Sequence, residues 1–254
     1  MRKPFFLCHL YSHDMNIYGD RGNVISLAKR LEWRGFDVVI ETINIGDRID
    51  PLRCDLVFAG GGQDDQQHVV ALDLRSWNGA VLHDLAEQNV PMLLVCGTYQ
   101  LFGHWFRTGD GREIRGIGLL DVHTMAGQRR LIGDTLVEST ITGVPRTLVG
   151  FENHSGQTFL GPGCRPLGRV LLGGGNNGQD GYEGAVYRMV HGTYLHGPIL
   201  PKNPWLTDYL LGAALSRIGI DEPLASLEDR WEDQAHTSIV QRVRRRGRRA
   251  SGVV

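Results

Sequence analysis

Through the first hundred residues, short apolar segments alternate with segments of helical spacing. "PFFLCHLY" precedes the helix-like "NVISLAKRLEWRG"; then come "FDVVIETIN", "CDLVFAGGG", the long helical stretch "HVVALDLRSWNGAVLHDLAEQ" and "PMLLVCG". Alternation of this kind restricts the chain to right-handed crossovers, and so to an α/β fold with a mostly parallel central sheet flanked by helices. Ligands of such sheets bind beyond the carboxyl ends of the strands. Both "AGGG" and "VCG" fall there, so the two loops are expected to share one crevice.

From about Gly116 the segments shorten to "LLDVHT", "TLVEST", "TLVGFEN" and "YRMVHGTYLHG", separated by Gly-rich turns. They are expected to extend the sheet, partly antiparallel. The glycine cluster "LLGGGNNGQDGYEG" lacks the Lys-Ser/Thr of a phosphate loop and the strand-to-helix setting of a dinucleotide fingerprint, so it reads as a mobile hairpin loop. "NPWLTDYLLGAALSRIG" has helical spacing with a Gly stop, and a further amphipathic helix begins near Asp229. The organisation is one domain over residues 1–220, then a C-terminal helix and basic tail over 221–254. The tail "QRVRRRGRRASGVV" reads as a solvated, disordered end, with contact to anionic lipid or an acidic partner as the alternative.

Composition excludes several classes. A formal net charge of -1 gives no global field for nucleic acid or membrane. No segment has the length of a membrane span, and the apolar start of "MRKPFFLCHLYSH" is too short, and too interrupted by His9 and His13, for a signal peptide. A cytoplasmic location is expected. Cys8, Cys54, Cys96 and Cys164 are scattered without a CxxC pair, which argues against a disulfide framework and a zinc site.

The most informative cysteine is in "PMLLVCGTYQLFG". Free cysteine often behaves as a small buried hydrophobe, but the neighbours of Cys96 suggest more. Met92 to Val95 has the continuous apolarity of a covered parallel strand, Gly97 frees the backbone, and Tyr99 to Phe102 opens a helix. A strand, a tight turn and a helix make a nucleophile elbow with Cys in place of Ser. The positive end of the following helix would favour the thiolate. Of the ten histidines, His196 in "HGTYLHGPIL" stands where a strand ends and a Gly-Pro turn begins, which makes it a candidate base.

Taken together, "AGGGQD", "VCGTYQ" and "GTYLHGP", in this order, resemble the class I (triad-type) glutamine amidotransferases of flavodoxin-like fold. "HGP", with no Glu two residues after the histidine, resembles the cobyric acid synthase branch. "HDMNIYGDRGN", "AGGGQDDQQ", "GFENHSGQT" and "GTYLHGP" are similar to glutaminase subunits of lipid II isoglutaminyl synthase, which work beside a MurT-like Mur ligase in a heterodimer. The resemblance implies Cys96 as nucleophile, His196 as general base and acid, and Gly61 or Gly62 with Gly97 as the oxyanion hole. It further implies that one of Arg129 and Arg130 holds the glutamine carboxylate, and that Gln100, His154 and Ser155 line the pocket. His154 is a rival base.

No cofactor is expected in this chain, since ATP, Mg²⁺ and any zinc would belong to the ligase. The third triad member stays open between an Asp or Glu of this chain and a partner group in trans; with a partner group, the isolated chain would turn over weakly and the complex faster. Other readings are a glutaminase for a cobyrinate-type amidation, a γ-glutamyl hydrolase, and an idle binding subunit.

Overall fold

A computed structural model describes residues 3–250, with backbone only over 246–250. Its strands are β1 (Phe5–Leu10), β2 (Val38–Ile43), β3 (Leu56–Ala59), β4 (Met92–Val95), β5 (Trp105–Arg107), β6 (Glu113–Arg115), β7 (Val122–Ser139), β8 (Arg146–Leu160), β9 (Gly168–Leu172), β10 (Tyr182–Glu183), β11 (Ala185–Tyr187) and β12 (Val190–Thr193). The helices are α1 (Arg21–Glu32), α2 (Asp64–Asp73), α3 (Gly79–Glu87), α4 (Gly97–Leu101), α5 (Ile199–Lys202), α6 (Pro204–Arg217) and α7 (Arg230–Ala250). The α/β architecture expected from the alternating segments is present.

The first sheet runs β11-β12-β4-β3-β1-β2, with every pairing parallel except β11 on β12. Strands β1, β3, β4 and β12 are buried along their whole length, as expected of strands covered on both faces. The later segments do not extend this sheet as the sequence suggests. β5 to β10 build a second sheet of their own, organised around the long antiparallel β7–β8 ribbon. Only β11 and β12 return, and β12 inserts beside β4 with Thr193 opposite Val95. Turn signals and alternation report that a segment is a strand, whereas the sheet it joins is decided by packing between distant segments.

Two further expectations change. The long helical stretch after β3 is broken by a π-helical turn over Leu74–Asn78 between α2 and α3, at Gly79, where an added Cβ would lie 3.0 Å from the Leu74 carbonyl oxygen. The glycine-rich loop before β11 is tied down rather than mobile. Glu152 accepts the Gly174 and Gly175 N–H groups at 2.7 and 2.9 Å, and Asn176 and Asn177 are buried. The helix expected near Asp229 is α7. Its Ile239, Val240 and Val243 pack on Leu136 and Val149 of the second sheet, so residues 241–250 of the basic run are helical, while 251–254 lie outside the described residues.

Helix α1 is anchored by one side chain. Arg30 is buried, and its guanidinium forks to Asp208 of α6 at 2.7 Å and to Asp229 at 2.5 Å. Both carboxylates keep partial solvent contact, at 28% and 24% side-chain exposure, which tempers the cost of losing their partner. Arg30→Ala should lower stability by about 2 kcal/mol, seen as a lower urea midpoint at unchanged slope.

Candidate active site at the strand ends

Neighbouring parallel strands end on the same edge of the sheet, so their terminal loops meet without further instruction. Across this edge the order is His196 after β12, Cys96 after β4, Gly60 to Gly62 after β3 and the 11–20 loop after β1. Cys96 N donates to Thr193 O at 2.8 Å, which stitches the first two together. The hydroxyl of Thr98 lies 2.9 Å from the carbonyl oxygens of both Ala59 and Gly60, which clamps the third.

Cys96 has φ +55° and ψ -105°, a conformation that costs an L-residue about 1–3 kcal/mol and persists only where its surroundings enforce it. It thus forms the strained elbow expected from "VCGTY". Gly97 permits it, because an added Cβ would lie 3.0 Å from the Gly62 amide nitrogen and 2.8 Å from Met15 Cε. The helix that follows has only five residues, so the peptide dipoles aligned behind the elbow are few. The cationic group of the site is instead His196.

His196 is fully buried, with Nδ1 3.3 Å from Asp20 Oδ1. Burial opposes charging of the ring, but the negative charge of Cys96 and the hydrogen bond to Asp20 outweigh it and raise the pKa from 6.5 to about 10. Nε2 has no hydrogen-bond partner, and Cys96 is among the groups that favour the charged ring. His154 behaves in the opposite way. Burial lowers its pKa to about 4, and its Nδ1, 2.7 Å from the Gly156 carbonyl, must carry the single proton. Stacked on Tyr194 at 3.6 Å between centroids, it is a fixed neutral ring with a free Nε2 acceptor, and a poor rival base.

A crevice of about 690 Å³ opens over the elbow. Cys96, Gly62, Gln100, Arg130, His154 and Ser155 line it. Arg130 projects from the irregular segment where the β7–β8 register shifts between Ala126 and Leu131, and bulges of this kind re-aim side chains. Asn153 holds its guanidinium, accepting from Nε at 2.5 Å. Arg129 does not line the crevice and lies toward Gly178. Gln100 donates to the Tyr194 hydroxyl at 3.0 Å and keeps Oε1 unpaired.

One expected donor is already engaged. The Gly61 N–H donates to Asp20 Oδ2 at 2.8 Å, so Gly62 and Gly97 are the amides left for an oxyanion.

Sequence reasoning missed the loop after β1. Tyr18 stands edge-on to His196 at 4.9 Å, its hydroxyl accepts from Asn153 at 2.7 Å, and Asp20 places a carboxylate oxygen 3.3 Å from His196 Nδ1. A signal was present in "YGDRGN". It places an acid on the carboxyl-end loop of a parallel strand, and Gly22 two residues later admits Pro198 of "HGP", since an added Cβ would come within 2.5 Å of Pro198 Cγ. Among the described residues, no group of three or more His, Cys, Asp or Glu side chains is placed to hold a metal ion, and no helix is long and apolar enough to cross a membrane.

Comparison with known proteins agrees with this geometry. The family model for the CobB/CobQ-like glutamine amidotransferase domain matches residues 7–204. The chain is 40% identical to the lipid II isoglutaminyl synthase (glutamine-hydrolyzing) subunit GatD of Staphylococcus aureus, over 93% of this chain and 95% of that one. It is 36% identical to the same subunit of Streptococcus pneumoniae, over 88% and 85%. A probable cobyric acid synthase of Methanothermobacter thermautotrophicus is 31% identical over 80% of this chain but only 41% of its own length. Among solved structures, a glutamine amidotransferase from Thermotoga maritima superposes with a TM-score of 0.53 at 15% identity, covering 95% of this chain and 99% of that one.

The His196 proton gives a direct test. Its pKa lies above that of a free imidazole, so the ring should stay charged from pH 6 to 8 and lose its proton only near pH 10. In Cys96→Ala, burial remains while a charge that holds the proton is gone. Ring-nitrogen NMR should then show the midpoint falling by more than about one unit.

Proposed function

The chain belongs to the CobB/CobQ-like glutamine amidotransferase family, and from that premise we propose that it is the glutamine-hydrolysing subunit of a lipid II isoglutaminyl synthase. It hydrolyses L-glutamine to glutamate and ammonia, and delivers the ammonia to a MurT-like, ATP-dependent Mur ligase. The ligase amidates the α-carboxyl of D-glutamate in the lipid II stem peptide. The observation that carries the reading is Cys96 in a strained elbow, beside a buried His196 whose Nδ1 lies 3.3 Å from Asp20, in a chain similar to GatD over nearly its full length.

The chemistry follows from the residues. The Cys96 thiolate attacks the side-chain amide carbon of glutamine, and the charge that develops on oxygen is met by the Gly62 and Gly97 N–H groups. These amides are fixed before substrate arrives, so no reorganisation accompanies the reaction. His196 Nε2–H protonates the departing nitrogen, the C–N bond breaks, and ammonia leaves a thioester on Cys96. The ring, now neutral, takes a proton from water as it attacks the thioester. Glutamate leaves, and the thiolate and imidazolium are restored.

Arg130 is the fork for the substrate carboxylate, pre-aimed by Asn153. His154 Nε2 and Gln100 Oε1 are acceptors for the substrate ammonium, and Ser155 completes the wall. Glutamine bound in this way presents its side chain to the elbow, while its charged end remains at the mouth. ATP and Mg²⁺ are required by the ligase step and not by hydrolysis.

Ammonia release measured on the chain alone, and with the ligase, ATP and lipid II, tests the reading. Wild type should release ammonia and support amidation, whereas Cys96→Ser should do neither; undiminished release by Cys96→Ser would overturn the assignment. Arg130→Ala should raise the glutamine KM by about 10–10²-fold, the loss of a charge-assisted hydrogen-bonded pair. Arg129→Ala should leave KM unchanged.

A further inference from the structure

Glu183 ends β10, where its backbone pairs with Gly168 of β9 in the second sheet, yet its side chain reaches the first sheet. Oε1 accepts from the Thr193 hydroxyl and from the Tyr194 N–H, both at 2.7 Å. Thr193 Oγ1 accepts in turn from the Leu195 N–H at 3.0 Å. One carboxyl oxygen therefore orders three consecutive residues where β12 ends, immediately before His196.

The position is an unfavourable one for an acid. Glu183, Thr193 and Tyr194 are fully buried, and Oε2 has no hydrogen-bond partner. Burial raises the pKa of Glu183 from 4.5 to about 7. With Oε1 occupied by two donors, the proton belongs on Oε2. An apolar side chain would avoid burying a half-paired carboxyl, but it would leave two buried donors unmet. The turn after Glu183 is held independently, since the Asn176 side-chain amide bonds both the N–H and the carbonyl of Gly184, at 2.8 and 2.9 Å.

Each residue ordered in this way has a place in the site. Thr193 O accepts the Cys96 N–H at 2.8 Å. Tyr194 stacks on His154, and its hydroxyl accepts from Gln100. Leu195 leads into His196, which exchanges both backbone hydrogen bonds with Phe151 of β8.

We propose that Glu183 is a positioning residue for the glutaminase site, whose Oε1 clamps the end of β12 to the second sheet and so keeps Cys96, Tyr194 and His196 in one alignment. Its effect on turnover rests on the glutaminase reading, whereas the alignment of Cys96 can be read separately. Oε1 acts as an acceptor, so a neutral amide should serve in its place, and Gln is a close copy of the protonated acid.

Glu183→Leu and Glu183→Gln, made in the full-length chain, separate this role from a merely structural one. With the folded fraction taken from circular dichroism, Glu183→Leu should lower kcat for glutamine by about 10²-fold per folded chain, the scale of a small misplacement at the reacting atoms. Its KM should rise less than about tenfold, because Arg130 is untouched. Alkylation of Cys96 by iodoacetamide at pH 7, followed by mass spectrometry, should slow roughly tenfold as the thiolate loses its aligned histidine. Glu183→Gln, which keeps the acceptor, should stay within about threefold of wild type in both rates.

Wild-type kcat and alkylation in folded Glu183→Leu would overturn the proposal and leave the glutaminase reading intact, as would a Glu183→Gln chain no faster than Glu183→Leu. Slowed alkylation in Glu183→Leu of a chain whose wild type never hydrolyses glutamine would support the clamp and overturn the glutaminase reading instead. If Glu183→Leu does not fold, Thr193→Val decides, since it removes the hydroxyl between the carboxyl and the Leu195 amide. A kcat lowered about tenfold, with KM within about threefold of wild type, supports the proposal, and wild-type kcat overturns it.

Discussion

The parallel pairing of β12 with β4 is the contact on which the site depends. Thr193 opposite Val95 sets the register, and the hydrogen bond from Cys96 N to Thr193 O fixes it at the elbow. Slipping the register by one residue would turn every β12 side chain to the other face of the sheet. His196 would then be carried away from the sulfur. The partnership of nucleophile and base is therefore a property of strand order more than of either residue.

Around that pair the molecule uses neighbouring strand ends in sequence. The β3 end gives glycines, whose amides can approach a substrate, and the loop after β1 gives a carboxylate and an aromatic cover. The second sheet supplies the opposite wall, where an irregularity in the β7–β8 ribbon turns Arg130 toward the crevice. Two construction principles meet here. The parallel sheet brings Cys96, His196 and the glycine turn together, while the antiparallel ribbon carries Arg130, His154 and Ser155 on the facing wall of the crevice.

How much of this was legible in the sequence depends on the range of the information. Cys96 announces itself locally, because an apolar strand, a glycine and a helix start stand in consecutive residues. The crevice shared by "AGGG" and "VCG" is also legible, since both follow parallel strands. Three features depend on remote contacts: the separation of the second sheet, the choice of Arg130 over Arg129, and the meeting of Asp20 with His196. The last joins residues 176 positions apart; "YGDRGN" offers an acid on a strand-end loop, but nothing local names the residue it meets. The length of the helix after the elbow, five residues, is likewise not announced by its first turn.

The return of β12 also bears on how the chain is made. β4 is apolar on both faces and has β3 on only one side until residues 190–193 arrive. During synthesis the whole second sheet emerges while the other side of β4 stays an open, hydrophobic edge, the kind of surface on which unfinished chains adhere to one another. The same delay keeps the thiol without its histidine until the fold is nearly closed. A half-made chain therefore carries an unprotected edge, and a cysteine not yet joined by His196.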